Sequence, residues 1–150
     1  MKRSTPKIKV FIDTNVLIAG ICSATGASAA ILDLCEAGLL DMVISRQVLI
    51  EADRNVSVKL PMLVDRFRQF IHEMTPLMVE DPGPEAVGKA AAVVGRKDAS
   101  ILAAAEAARA DFLVTLDKRH FLSSRTGKEF ILKVVSPAEF LRAFEQMWLQ

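Results

Sequence analysis

The chain has 150 residues, 51% of them hydrophobic, and this length predicts a single domain, residues 1–150, with a sizeable core. Its 19 basic and 18 acidic residues give a formal charge of +1, which excludes neither nucleic acid nor a small substrate, because the distribution of charge matters more than its sum. No segment approaches the roughly 18 uninterrupted apolar residues of a membrane span. Cys22 and Cys35 lack metal-type spacing and are typical of packed thiols in a reducing compartment. We therefore expect a soluble, cytoplasmic protein.

Five short apolar segments are predicted as β-strands. They are nearly continuous in apolar character rather than alternating, as expected for strands that are covered on both faces. In chain order they are IKVFID (8–13), DMVIS (41–45), TPLMVE (75–80), DFLVTLD (111–117) and FILKVV (130–135).

Helical patterns lie between and after these strands. Gly38 is the predicted C-terminal cap of the first helix, and Ser136 with Glu139 forms a predicted capping box at the start of the last one. The stretch EDPGPE (80–85) is predicted as a loop. The predicted helices are 27–38, 46–56, 61–74, 97–110 and 136–150.

The alternation of strands and helices predicts an α/β domain with a mainly parallel sheet and right-handed crossovers. In such folds, ligands bind outside the carboxyl ends of the strands. Four acids fall near those ends: Asp13 and Asp117 end the first and fourth strands, Asp98 begins the helix before the fourth strand, and Glu51 lies in the second turn after the second strand. We expect these four carboxylates to converge on one edge of the sheet.

Each acid also has an ordinary structural explanation. Asp98 is compatible with a helix N-cap, Glu51 with a solvated helix charge, and Asp117 and the Asp13 segment with turns. Convergence of all four on one edge favours a shared role over four separate ones.

A shared role for four carboxylates requires cations. Two carboxylates about 4 Å apart repel by roughly 4 kcal/mol at an effective dielectric constant of about 20. Oxygen ligands without His or Cys suit Mg²⁺ or Mn²⁺ and not zinc. Such a site is what metal-assisted phosphodiester hydrolysis needs, because the ion lowers the pKa of a bound water and neutralises charge on the phosphate.

The motifs around these acids resemble those of the PIN-domain ribonuclease family. FIDTNVLI (11–18) is similar to the first motif, ISRQVLIE (44–51) to the second, and RKDASILAAAEAARADFLVTLDKRHF (96–121) to the third and fourth together. The last stretch is the most specific, because it combines an acid, a helix of small residues, a strand, Thr-x-Asp and then basic residues. The resemblance covers residues 8–140. Within the family, the chain is most similar to the toxins of VapC-type toxin–antitoxin pairs.

The resemblance implies a PIN-like three-layer sandwich, with a five-stranded, mainly parallel sheet and helices on both faces. It also implies an endoribonuclease that cleaves single-stranded or structured RNA with Mg²⁺ or Mn²⁺. Asp13, Asp98 and Asp117 would hold the metal directly or through water, and Glu51 would complete the pocket. The implied partners are RNA and a cognate antitoxin.

Further polar residues belong to the predicted site. The resemblance implies that Asn15 and Thr115 orient the aspartates by hydrogen bonds, as groups behind metal ligands do. Basic residues flank the acids and are candidates for contacts with the RNA backbone, although each is equally compatible with an ordinary solvated charge. These candidates are Arg46, Arg96, Lys97, Lys118 and Arg119, with His120, Arg125 and Lys128 further along.

The last predicted helix carries an apolar stripe formed by Phe140, Leu141, Phe144, Met147 and Trp148. Such a stripe most often packs into the core. The alternative is a surface for a second copy, which would give a homodimer, or for an antitoxin.

Other classes of protein remain as alternatives. A HAD-like phosphohydrolase needs a second acid two residues after the first, where this chain has Asn15, and a receiver-type domain needs an acidic pair before Asp13, which is missing. A flap-type DNA nuclease shares the acids but usually has a longer chain. A catalytically silent PIN-like module that binds nucleic acid or protein also stays open, although unused clustered charge is costly.

Overall fold

The computed structural model describes residues 7–117, 121 and 132–149, and it gives the backbone alone for Arg96 and Lys97. Within these residues the chain forms a five-stranded sheet in the order β3-β2-β1-β4-β5, and every neighbouring pair is parallel. The strands are β1 (Ile8–Ile12), β2 (Leu40–Ser45), β3 (Leu77–Val79), β4 (Phe112–Val114) and β5 (Lys133–Val135). The five predicted strands and their parallel arrangement are confirmed, although β4 ends at Val114, before the predicted end at Asp117. Residues 130 and 131 of the fifth predicted strand lie outside the described residues.

Helices fill the three connections from β1 to β4, a further helix follows β5, and the helices cover both faces of the sheet, so the predicted three-layer sandwich is also confirmed. A short 3-10 turn, Pro61–Leu63, leads into the fourth helix. The α-helices of the described residues are α1 (Thr14–Cys22), α2 (Ala27–Glu36), α3 (Arg46–Lys59), α4 (Val64–Met74), α5 (Pro84–Ala91), α6 (Arg96–Ala107) and α7 (Pro137–Leu149). In this part of the chain no single helix is long and apolar enough to cross a membrane, whereas the bent pair α1 and α2 passes that test by length and composition only.

The position of β1 at the centre of the sheet explains why residues 10–12 are all apolar. Residues 10–12 are fully buried, and Phe11 pairs with Val43 of β2 on one side and Leu113 of β4 on the other. Because β1 has strands on both edges and helices on both faces, every side chain in its second half meets apolar neighbours. The first polar side chain after this buried run is Asp13, which β1 delivers to the carboxyl edge of the sheet.

Two of the predicted caps are confirmed. Gly38 follows α2 with a φ of 79°, a left-handed conformation that glycine adopts without strain, and its N–H donates to the carbonyl of Cys35 across 3.0 Å. At the start of α7, the N–H of Ser136 donates to Glu139 across 2.9 Å and the N–H of Glu139 donates to the Ser136 hydroxyl across 3.2 Å. These reciprocal bonds are a capping box.

Two helices were not predicted. Helix α1 is apolar nearly all round and buries Val16, Leu17 and Ile21, so its sequence lacks the polar face that marks a surface helix. Helix α5 begins at Pro84, inside the predicted loop, because proline is tolerated at the first helical position. The prediction of a loop over 80–85 is therefore wrong for residues 84 and 85, which are helical.

Helix α7 divides its apolar stripe between core and surface. Phe140 is fully buried and packs edge-on against Phe112, with ring centroids 5.1 Å apart. Phe144 is half-buried and stacks between Phe140 and Trp148, whereas Trp148 is 66% exposed. The expectation of core packing holds for Phe140 and not for the end of the helix.

Candidate active site

Asp13 stands between β1 and α1 and is the N-cap residue of that helix. Its Oδ1 accepts a hydrogen bond from the N–H of Thr14 across 2.8 Å, and its Oδ2 accepts one from the hydroxyl of Thr115, also across 2.8 Å. Its own N–H donates to the carbonyl of Val114 at the end of β4, across 3.1 Å. The charge in the middle of FIDTNVLI is therefore a helix cap whose two carboxylate oxygens are both held.

Thr115 connects the second acid of this edge to the first. It is completely buried just past the end of β4. While its hydroxyl donates to Asp13, its oxygen accepts a hydrogen bond from the N–H of Asp117 across 3.1 Å. The Thr-x-Asp segment thus fixes the backbone of Asp117 relative to the carboxylate of Asp13.

Glu51 reaches the same edge from the second turn of α3. Its Oε2 accepts a hydrogen bond from the hydroxyl of Thr14 across 3.2 Å, and its Oε1 accepts one from Nε2 of Gln47 across 3.2 Å. Thr14 is almost fully buried. One threonine therefore serves two acids, through its backbone N–H to Asp13 and its hydroxyl to Glu51.

A further acid anchors α3 from the side of β3. The N–H of Gln47 donates to Asp81, just after β3, across 3.3 Å, and the hydroxyl of Ser45 accepts from the N–H of Val48 across 3.2 Å. These bonds satisfy two of the free amides in the first turn of the helix.

The hydrogen bonds form a continuous chain along the carboxyl edge of the sheet. It runs from β3 to β4 through Asp81, Gln47, Glu51, Thr14, Asp13, Thr115 and Asp117.

Asp98 belongs to the same electrostatic environment. It lies in the first turn of α6, where its N–H donates to the carbonyl of Gly95 across 3.0 Å. Gly95 is the N-cap of α6, so the alternative that Asp98 is itself the cap is wrong. The charges of Asp98 and Glu51 both raise the pKa of Asp13.

The pKa of Asp13 is raised above its ordinary value. Burial is the largest cause, because it disfavours the charged form. The hydrogen bonds from Thr115 and Thr14 oppose this effect, and the repulsion from Asp98 and Glu51 adds to it. An anion held here against desolvation and like charge would be stabilised by a cation.

The structure describes some of the other predicted site residues and not the rest. Asn15 is exposed on α1, and within the described part of the chain its side chain makes no hydrogen bond, so its orienting role stays a prediction. Arg46 is exposed at the first position of α3, and Arg96 and Lys97 lie on the first turn of α6. The other basic candidates fall outside the described residues: Lys118, Arg119, His120, Arg125 and Lys128.

The donor set fits a hard divalent cation in kind. The contributing groups are carboxylates, which Mg²⁺ and Mn²⁺ prefer, and among the described residues the partly buried carboxylate of Asp13 accepts its hydrogen bonds from uncharged groups. Among the described residues, no three His, Cys, Asp or Glu side chains already stand in an arrangement that could hold a metal ion. The described side chains thus form a carboxylate cluster and not a finished coordination sphere.

Three residues of this network were not predicted from the sequence. The sequence pattern predicts no role for Gln47 or Asp81, and for Thr14 it predicts none beyond its place in the Asp13 segment. The spacing of Gln47 four residues before Glu51 is a signal for a side-chain pair on one face of a helix. By contrast, the contact between Thr14 and Glu51 joins positions 37 apart and has no local signal.

Several solved structures are similar to this fold, among them the following three. VapBC2 from Rickettsia felis, bound to a DNA fragment from their promoter, matches with a TM-score of 0.61 and 16% identity, over 86% of this chain and 98% of that one. FitAcB from Neisseria gonorrhoeae matches with a TM-score of 0.62 and 19% identity, over 85% and 97%. PAE2754 from Pyrobaculum aerophilum matches with a TM-score of 0.62 and 19% identity, over 90% and 94%.

Sequence comparison places the chain in a family. No curated protein matches it significantly. The family model described as the PIN domain matches residues 9–119. This range includes β1 from its second residue, β2, β3, β4 and all four acids, Asp13, Glu51, Asp98 and Asp117. Because this match covers well over half of the sequence, the chain belongs to the PIN domain family, a family of nucleases.

Proposed function

We propose that the chain is a Mg²⁺- or Mn²⁺-dependent endoribonuclease and the toxin of a toxin–antitoxin pair. The observation that carries the proposal is the position of Asp13. In a PIN fold, this partly buried carboxylate stands at the carboxyl edge of the sheet, hydrogen-bonded through both oxygens and repelled by Glu51 and Asp98.

The cation would be held by Asp13, Asp98 and Asp117, with Glu51 completing the site. When bound, it supplies a nucleophile at neutral pH and neutralises charge on the phosphate. The chain's own contribution is orientation: Thr115 and Thr14 donate to both oxygens of Asp13, which fixes the direction of the carboxylate.

The substrate is proposed to be RNA, because phosphodiester hydrolysis suits an acidic cation site beside basic side chains. Arg46 is exposed at the start of α3, five positions before Glu51 on the same helix, where it can contact a phosphate backbone. We propose the same role for Arg96, Lys97, Lys118 and Arg119.

The proposed partner is an antitoxin. VapBC2 and FitAcB are complexes of a toxin with its antitoxin, and their fold is that of this chain. This likeness supports a cognate antitoxin, and we propose a cytoplasmic place of action for the pair. A homodimer, with the exposed end of α7 in its interface, stays a prediction.

A cleavage assay on a panel of RNAs tests the proposed activity. We expect cleavage with Mg²⁺ or Mn²⁺, none with a chelator, and a loss of at least about 100-fold in Asp13→Asn, because the family's metal ligands act as a unit. The matched control is Asp33→Asn, which changes an exposed aspartate on α2 and should leave cleavage unchanged.

Two other outcomes would each favour a different class of protein. RNA binding without cleavage would favour the silent PIN-like module. Hydrolysis of small phosphomonoesters without RNA cleavage would favour a phosphohydrolase.

A further inference from the structure

The carboxylate of Glu51 is held from both sides. The side-chain amide of Gln47, one helical turn earlier, donates to Oε1 across 3.2 Å, and the hydroxyl of Thr14 donates to Oε2 across 3.2 Å. A glutamate has three side-chain torsions and samples several rotamers when it has no partner. With both oxygens engaged, Glu51 is directed toward the start of α1, where Asp13 stands.

Gln47 is itself fixed by its surroundings. Its backbone N–H donates to Asp81 across 3.3 Å, and the N-cap Ser45 holds the same turn through Val48. The parallel pairing of Ser45 with Val79 brings the segment after β3 beside the start of α3. Gln47 therefore stands on a helix end that is anchored by the neighbouring strand.

The chemistry of an amide suits this position. Gln47 donates a hydrogen bond without bringing a positive charge, so it does not compete with a cation for the carboxylate of Glu51. A lysine or arginine at the same spacing would also hold the carboxylate, but it would compete with the cation for it.

We propose that Gln47 is a positioning residue for the cation site, which holds the carboxylate of Glu51 beside Asp13 through its side-chain amide. The inference rests on the proposed function, because it assigns Gln47 to that same site. In this proposal, Gln47 does not contact the cation and affects its binding through Glu51.

The test compares two glutamines that make the same bond. Gln47→Met removes the donor and keeps the length of the side chain. Gln69→Met does the same on α4, where Gln69 donates to Glu73 across 2.9 Å at the same spacing of four residues, away from the site. Titration calorimetry of the full chain with Mn²⁺ should show about tenfold weaker binding in Gln47→Met and less than about twofold in Gln69→Met.

Melting without metal separates positioning from a structural role. The bond between the Gln47 backbone and Asp81 survives in Gln47→Met, so its metal-free melting temperature should equal that of Gln69→Met. Weaker Mn²⁺ binding with this equality supports the proposal. Equal Mn²⁺ binding in the two variants, or weaker binding together with a lower metal-free melting temperature in Gln47→Met, overturns it.

Two further variants complete the design. Glu51→Ala must weaken Mn²⁺ binding at least as much as Gln47→Met, since Gln47 acts only through Glu51, and a smaller effect overturns the proposal. Asp13→Asn reports on the proposed function. If Asp13→Asn binds Mn²⁺ as tightly as the unchanged chain does, the proposed function and the inference are both wrong. If Asp13→Asn loses Mn²⁺ binding but Gln47→Met binds Mn²⁺ normally, only the inference is wrong.

Discussion

The hydroxyl of Thr14 donates a hydrogen bond to Glu51 across 3.2 Å, although 37 positions separate the two residues. The N–H of the same threonine donates to Asp13 across 2.8 Å. Because Thr14 begins α1, the N-terminus of that helix ties together an acid that follows β1 and an acid that follows β2. The carboxylates of Asp13 and Glu51 are thus linked through one threonine, by its backbone N–H to the first and by its hydroxyl to the second.

Asp13→Asn should stabilise the metal-free protein in a pH-dependent way. Because the pKa of folded Asp13 lies above its ordinary value, the folded state binds this proton more tightly than the unfolded state does, and stability falls as pH rises from the ordinary to the raised pKa. Asparagine carries no charge at any pH, so the variant escapes this loss. Below the ordinary pKa, the variant and the unchanged chain should have the same unfolding free energy. Above the raised pKa, the unfolding free energy of the variant should be higher by a constant amount. That amount is about 1.4 kcal/mol for each pH unit between the folded and the unfolded pKa of Asp13.

Urea unfolding with a chelator, from about pH 3 to about pH 8, measures this difference. Asp33→Asn is the control, because Asp33 is exposed on α2. If Asp13→Asn were less stable than the unchanged chain at neutral pH, the capping bonds of the carboxylate would outweigh its desolvation, and Asp13 would be mainly a structural cap.

Thr115→Val should destabilise the fold by about 1–3 kcal/mol, because the lost hydroxyl is fully buried and leaves the partly buried N–H of Asp117 and one oxygen of Asp13 without their partner. Since the bond from Thr115 lowers the pKa of Asp13, its removal should raise that pKa further and steepen the loss of stability with pH. Thr25→Val, at an exposed position between α1 and α2, is the control. An unchanged pH profile in Thr115→Val would mean that this hydroxyl does not govern the charge of Asp13.

Phe140→Ala should destabilise the fold much more than Trp148→Ala, because the two residues lie at the buried start and the exposed end of α7. Phe140 is fully buried, so its truncation should cost about 3–5 kcal/mol of unfolding free energy. Trp148 is 66% exposed and keeps a stacking contact with Phe144, so its truncation should cost about 1 kcal/mol. Urea unfolding measures both, and a cost for Trp148→Ala equal to that for Phe140→Ala would place Trp148 in the core.

Sedimentation of Trp148→Ala addresses the predicted homodimer. A dimer that uses the end of α7 should dissociate in this variant, while Mn²⁺ binding is unaffected because α7 supplies none of the proposed ligands. If the oligomeric state of Trp148→Ala is unchanged, the end of α7 is not part of the interface.

The strands, and the edge at which the acids lie, could be predicted from the sequence because both follow from simple rules. Apolar runs covered on both faces are nearly continuous, and parallel strands end at one edge. Helix α1 was not predicted, because Val16, Leu17 and Ile21 are all buried and its short run is apolar. Such a run is compatible with either a strand or a buried helix.

The hydrogen-bond chain could be predicted only in part. The bond between Gln47 and Glu51 is local, and its spacing is visible in the sequence. The bonds from Thr14 to Glu51 and from Thr115 to Asp13 join distant positions, and only the strand order of the sheet brings them together.

A cation bound at the carboxyl edge of the sheet is the central requirement of the proposed function. A crystal grown with Mn²⁺, measured for anomalous scattering, locates such an ion without reference to activity. We expect a peak about 2.1 Å from a carboxylate oxygen of Asp13, with Asp98, Asp117 or Glu51 also in its coordination sphere, and no peak there in Asp13→Asn. A Mn²⁺ peak only elsewhere on the protein, or a peak at this edge that survives Asp13→Asn, would contradict the proposed role of these acids.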